Sequence, residues 1–110
     1  MNFSFHPEAD EEFIEGVAYY ESCDPGLGLD FSCEVYATIK NALDYPAMWP
    51  EIDDAVRRCL VRRFPYGVLY SIESHGIFIL AVMHLHRDPD YWRHRLGTGK
   101  QAPEEGRPNF

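Results

Sequence analysis

Cysteine pairs, long apolar runs and basic residues near the N-terminus are all missing from this 110-residue chain. Each absence excludes something. No segment approaches the ~20 apolar residues that a membrane-spanning helix requires. The opening MNFSFHPEADEEF has neither the basic segment nor the apolar core of a secretory signal. The three cysteines, Cys23, Cys33 and Cys59, are odd in number and show no Cys-x-x-Cys spacing. They read as free thiols in a reducing cytoplasm, with no disulfide framework and no cysteine metal site. Internal repeats are absent too. The length suits one domain, with residues 1–96 folded and the Gly-, Pro- and charge-rich residues 97–110 a flexible tail.

Positive charge is scarce only in the first half. Residues 1–54 hold thirteen acidic residues and one basic one, Lys40, a net of −12. Residues 55–110 hold nine basic and five acidic residues, a net of +4. The overall −8 is therefore an acidic half joined to a mildly basic one. The acidic half reads as a solvated helical surface, and the basic half as one able to touch an anionic partner.

The hydrophobic period also changes between the halves. NFSF alternates and reads as a short first strand. Pro7 then starts a helix, with Glu8, Asp10, Glu11 and Glu12 at the positive end of its dipole. Ala9, Phe13, Val17 and Tyr20 recur at helical spacing and form the buried stripe, which Ile14 and Ala18 widen. Asp24-Pro25-Gly26 ends that helix, and Phe31, Val35, Ile39 and Ala42 or Leu43 define the inner face of a second one over 27–44. DYPAMWPEIDD at 44–54 reads as a loop because of its two prolines and acidic cluster. Strands are expected at 56–64, 68–73 and 77–85, with turns at FPYG and SHG. IFILAVMHL is apolar on both faces, as a covered central strand is. The order β-α-α-β-β-β, closed by a short C-terminal helix, predicts an α+β domain: a helical hairpin on a small antiparallel sheet.

Most of the chemistry sits in HLHRDPDYWRHRL at 84–96. His84 and His86 are two apart on a strand and leave one face. With His94 or Asp88 they could ligate zinc, but no HExxH or Cys/His pair accompanies them. Packing, capping or partner contact is the preferred reading, and no metal or cofactor is expected. Cys59 stands among arginines that could favour its thiolate, yet a strand cysteine is more often a small core residue. Arginines are the fuller signal. Arg57, Arg58, Arg62, Arg63, Arg87, Arg93 and Arg95 all lie in or just after the sheet half, near Tyr66, Tyr70, Tyr91 and Trp92. If the helices cover one sheet face, such residues on the other suit a phosphate clamp or a protein contact. Ion pairs to the acidic helices are the plainer alternative.

Four segments in series, FHPEADEEFIEGVAYYE, PGLGLDF, RRFPYGVLYSI and ILAVMHLHRDPDYWRHR, resemble the RelE/ParE toxin superfamily, closest to its ParE-like plasmid-stabilisation branch. The resemblance spans residues 3–96. It implies the toxin of a bacterial type II toxin–antitoxin pair, neutralised by a cognate antitoxin of ribbon-helix-helix or helix-turn-helix type. Operator DNA would be reached only through that antitoxin, and no membrane is involved. RelE-like members cut mRNA on the ribosome without a metal, whereas ParE toxins poison DNA gyrase by protein contact. For the nuclease, the resemblance carries over Arg58, Arg87 and Tyr91. It departs at Gly67, where RelE-type nucleases place an arginine ahead of the strand. The gyrase reading is therefore preferred, with no catalytic residue and with Arg62, Arg63, Arg87, Tyr91, Trp92 and Arg95 as the contact set, although Trp92 reads more readily as a core anchor than as a contact. A non-toxic, antitoxin-paired binding module is the third possibility.

Overall fold

The computed structural model describes residues 2–96. The tail expected at 97–110 lies outside them. Strand β1 (Asn2–Phe5) leads into helix α1 (Pro7–Cys23) and then α2 (Leu27–Asp44). Strands β2 (Glu51–Asp53), β3 (Val56–Leu60), β4 (Tyr66–Glu73) and β5 (Gly76–His84) follow, and one 3-10 turn (Arg93–Arg95) ends the described chain. The sheet order is β1-β5-β4-β3-β2.

Both helices form where their apolar stripes run. His6 caps α1 by accepting the Glu8 amide at Nδ1, 3.1 Å away. Pro7 occupies the first turn, where a missing N–H costs nothing. Glu21 closes the hairpin: its carboxylate accepts the amides of Gly26 and Gly28, each at 3.1 Å. Those are amides at the start of α2, which no helical carbonyl can satisfy. The helices then cross so closely that a Cβ on Gly28 would meet the Val17 carbonyl oxygen at 2.7 Å.

Two features of the sheet differ from the expectation of a purely antiparallel one. First, β1 pairs parallel to β5, Asn2 opposite Gly76 through Phe5 opposite Ile79, so the sheet is mixed. The β2–β5 meander leaves the outer edge of β5 open, and the strand preceding α1 fills it. Second, Glu51–Asp53 is a short, irregular edge strand on β3 inside the expected loop. Glu51-Ile52-Asp53 is too short a run for its alternation to mark a strand. β3 also stops at Leu60 rather than continuing to Phe64, because Arg63 takes a left-handed φ of 72° in the turn into β4.

A bulge in β5 does more to place the candidate site. Leu69 pairs with Ala81 but Tyr70 pairs with Ile79, so Leu80 is the extra residue. Ile77, Ile79 and Val82 face the helices and join Phe13, Phe31, Val35, Ile39, Val68 and Tyr70 in one core. Phe78, Leu80, Ala81 and Met83 line a second core with Val56 and Leu69, capped by Trp92. Trp92 is 1% exposed. The sheet face away from the helices is thus partly covered by the chain's own C-terminal segment, and is not the free surface that helices on one side alone would leave. Among the described residues no helix is long and apolar enough to cross a membrane.

Candidate functional site

β1 pairs with β5 no further than Ile79, after which the chain turns up into α1; the last bond runs from the His6 amide to the Ile79 carbonyl at 2.8 Å. Beyond that point the bulged edge of β5 has lost its strand partner. Two side chains replace it. Glu12 Oε1 accepts the Val82 amide at 3.0 Å, and Arg95 donates to the Leu80 carbonyl at 2.9 Å. The same two residues meet each other: Arg95 donates to Glu12 Oε1 at 2.9 Å and to Oε2 at 2.8 Å. A bidentate pair is therefore built into the edge of the sheet, with side-chain exposures of 12% for Glu12 and 4% for Arg95.

Tyr91 and Arg87 complete the cluster. The Tyr91 hydroxyl donates to Glu12 Oε2 at 2.6 Å. The Arg87 guanidinium lies 3.8 Å from the Tyr91 ring centroid and 3.9 Å from Glu12 Oε2. Arg95 sits 4.9 Å from the same ring. Burial, reinforced by the bond to Glu12, pushes the Tyr91 phenol well above its ordinary value. Burial works against the charge of Arg95, but the Glu12 carboxylate outweighs it and holds the guanidinium above its usual range. Glu8, one turn earlier on α1, accepts from His94 Nε2 at 2.9 Å and lies 3.3 Å from Arg95 Nε. The His94 bond, more than the nearby charges, lowers the Glu8 carboxyl.

Beside this cluster, α1 and the end of β5 enclose a groove of about 250 Å³ lined by Glu12, Glu15, Tyr19, Tyr66, His84 and Arg87. His84 is held edge-on to Tyr66, ring centroids 5.2 Å apart. Its Nδ1 accepts the His86 amide at 3.1 Å, which leaves Nε2 to carry the proton of the neutral ring.

The residues singled out in the sequence thus part company. Arg87, Tyr91 and Arg95 come together around Glu12. Trp92 and Arg95, expected on a contact surface, are instead buried, because Trp92 seals the second core and Arg95 caps the strand edge. Arg63 turns away toward α2, 3.4 Å from Asp30 and 3.9 Å from Glu34. Arg62 is exposed on the same turn. Arg58 is half-buried on the sheet face opposite the helices, its stem filling the space where a Cβ on Gly67 would stand, 3.1 Å from Cγ and Cδ. Arg57 donates to the carbonyls of Ala47 (3.1 Å) and Trp49 (2.6 Å) and fastens the loop before β2. Arg93 pairs with Asp53 and Asp90.

His84 and His86 adjoin, ring centroids 5.2 Å apart, while His94 is engaged by Glu8 on the far side of the cluster. Among the described residues no group of three or more His, Cys, Asp or Glu is placed to hold a metal ion. Cys59 lies in the main core, and burial raises its thiol to about 11, the reverse of an activated thiolate. Glu12 is the residue that sequence reasoning passed over. One signal pointed to it: it stands at i−1 to Phe13, beside the inner stripe of α1, where an acid needs a buried partner.

No protein-family model matches the chain. No curated protein matches it either. Solved structures do. One is a chain of the chromosomal ParDE TA system from P. aeruginosa, 17% identical, with a TM-score of 0.68 over 78% of this chain and 97% of that one. At that identity the likeness is one of fold: two helices packed on a five-stranded mixed sheet.

Proposed function

We propose that this protein is the toxin of a bacterial type II toxin–antitoxin pair, acting in the cytoplasm and neutralised by a cognate antitoxin. The observation that carries this is the similarity to a chain of a ParDE TA system over 97% of that chain's length. The motifs at 5–21, 25–31, 62–72 and 79–95 support it independently. Within that reading a ParE-like toxin, which inhibits DNA gyrase by protein contact, fits the site better than a nuclease. A phosphate-cleaving set needs donors free to meet developing charge. Here the Tyr91 hydroxyl is committed to Glu12, Arg87 is drawn to the same carboxylate, and Gly67 offers no donor. Arg62 and the exposed half of Arg87 are the cations best placed for an outside partner.

Induced expression without the antitoxin should arrest growth, and purified protein added to gyrase and supercoiled plasmid should produce double-strand breaks. Unchanged supercoiling and no cleavage at excess protein would exclude gyrase. The RelE-like alternative rests on the stacking of Arg87 over Tyr91, 3.8 Å from the ring centroid, which keeps two of its three residues adjacent. It requires cleaved transcripts at the ribosomal A site in arrested cells, with cleavage lost in Arg87→Ala. Intact transcripts would exclude it.

A further inference from the structure

The outward side of α1 is not the polar stripe of a helix that faces only water. Glu11, Ile14, Glu15, Ala18 and Tyr19 are all exposed, and their spacing of three and four puts them on one face; Ile14 and Ala18 thus face outward and do not widen the buried stripe. Ile14 is 58% exposed and Tyr19 60%. Between the apolar members stand uncompensated acids. α1 contains no lysine, arginine or histidine. The cations that reach it from elsewhere are spent on Glu8 and Glu12, which pair with His94, Arg87 and Arg95. Among the described ion pairs none involves Glu11 or Glu15. The stripe also borders the groove, since Glu15 and Tyr19 belong to both.

We propose that this stripe and the groove form one docking surface for a cationic amphipathic segment of a partner protein. Apolar residues of the segment cover Ile14, Ala18 and Tyr19. One of its lysines or arginines enters the groove, meeting the Glu15 carboxylate and the faces of Tyr19 and Tyr66. Three features choose this occupant. The exposed carboxylates ask for positive charge and repel a phosphate backbone, which removes nucleic acid. The alternation of apolar and acidic positions along a helix matches a helical or extended peptide carrying the opposite charges. The aromatic walls favour a cation over a neutral side chain. Naming the segment as part of the antitoxin rests on the toxin–antitoxin reading above; its chemistry does not.

The test uses two amphipathic peptides of equal length with leucines at identical positions, one carrying lysine and the other glutamate at the polar positions. Each is titrated into the full-length, isotope-labelled protein. The lysine peptide should bind and shift the amide resonances of Ile14, Tyr19 and His84, and the glutamate peptide should not. Glu15→Lys and Ile14→Asp should each weaken binding about tenfold or more without moving the thermal unfolding midpoint. Ile14→Asp is the sharper variant, because nonspecific attraction of a basic peptide would grow with an added negative charge. Equal binding of the two peptides, shifts centred elsewhere, or full affinity in both variants would overturn the proposal. Co-expression with the product of the adjoining small gene separates it from the functional reading. Normal neutralisation of both variants sinks the docking surface and leaves the toxin–antitoxin pair standing. Absence of growth arrest by the unaltered chain removes the toxin reading and leaves the peptide titration to decide the surface.

Discussion

Glu12 carries more of the structure than any other polar residue, since one carboxylate satisfies a strand amide, a buried guanidinium and a phenol. Removing Glu12 strips the buried Arg95 guanidinium of its bidentate carboxylate partner. Glu12→Ala should therefore cost about 3–5 kcal/mol in chemical denaturation, whereas Glu12→Ala with Arg95→Met should recover part of the loss. A double variant no better than the single would show that the pair is not the source. His6 makes a second residue-scale prediction. Burial lowers its pKa in the folded chain, outweighing the Glu8 carboxylate that would raise it, and the Arg95 charge adds a smaller lowering. The unfolded chain then takes up the proton first. Its contribution to stability is full above about pH 6.5 and declines as the pH falls through and below that value. In His6→Asn, which keeps an N-cap acceptor, thermal unfolding followed from pH 7 to pH 5 should lose this part of the decline. Identical pH profiles would show that His6 does not sense pH. Thiol chemistry gives the third: Cys23 and Cys33 are exposed and should react at once with a disulfide reagent, while buried Cys59 reacts only on unfolding.

At the scale of elements, the helical hairpin depends on close approach. Gly28→Ala would drive a methyl into the Val17 carbonyl, and helices cannot part without disturbing the core between them. A loss of about 1–3 kcal/mol is expected, measured by denaturant midpoint, with no change in helix content. The C-terminal segment is held differently, by one tryptophan and a ring of ion pairs. Trp92→Ala should cost about 3–5 kcal/mol because it opens the second core. The segment around 88–96 should then exchange its amides faster than α2 does. Both helices were legible in the sequence almost to the residue, because a 3.6-residue stripe with a proline start and a Pro-Gly stop is a local signal. β2 and the bulge at Leu80 were not legible. Both depend on which strand lies alongside, and pairing is a non-local choice.

Over the whole molecule, charge is segregated, and much of it is already used internally. The basic residues of the second half reach back to the acidic helices: Arg63 to Asp30 and Glu34, Arg87 and Arg95 to Glu12, His94 to Glu8. The plainer reading of the arginine signal, ion pairs to the acidic helices, thus accounts for three of its seven members, Arg63, Arg87 and Arg95. Glu11 and Glu15, on the outer stripe of α1, take part in none of the described ion pairs. Binding of a basic partner there should weaken steeply as salt is raised, whereas the folded state itself should be little affected, since its main pair is shielded from solvent.

By itself, the sequence determined the two amphipathic helices and the doubly apolar last strand, because each is written in local spacing. Only the tertiary structure decided which of the charged residues face outward. Arg87, Tyr91, Trp92 and Arg95 stand within nine positions of one another and look alike as text. Folding sends Trp92 under the sheet, Arg95 to a strand edge and Arg87 to a half-exposed rim, as the bulge at Leu80 and the early end of β1 leave two backbone groups that an arginine and a glutamate must satisfy.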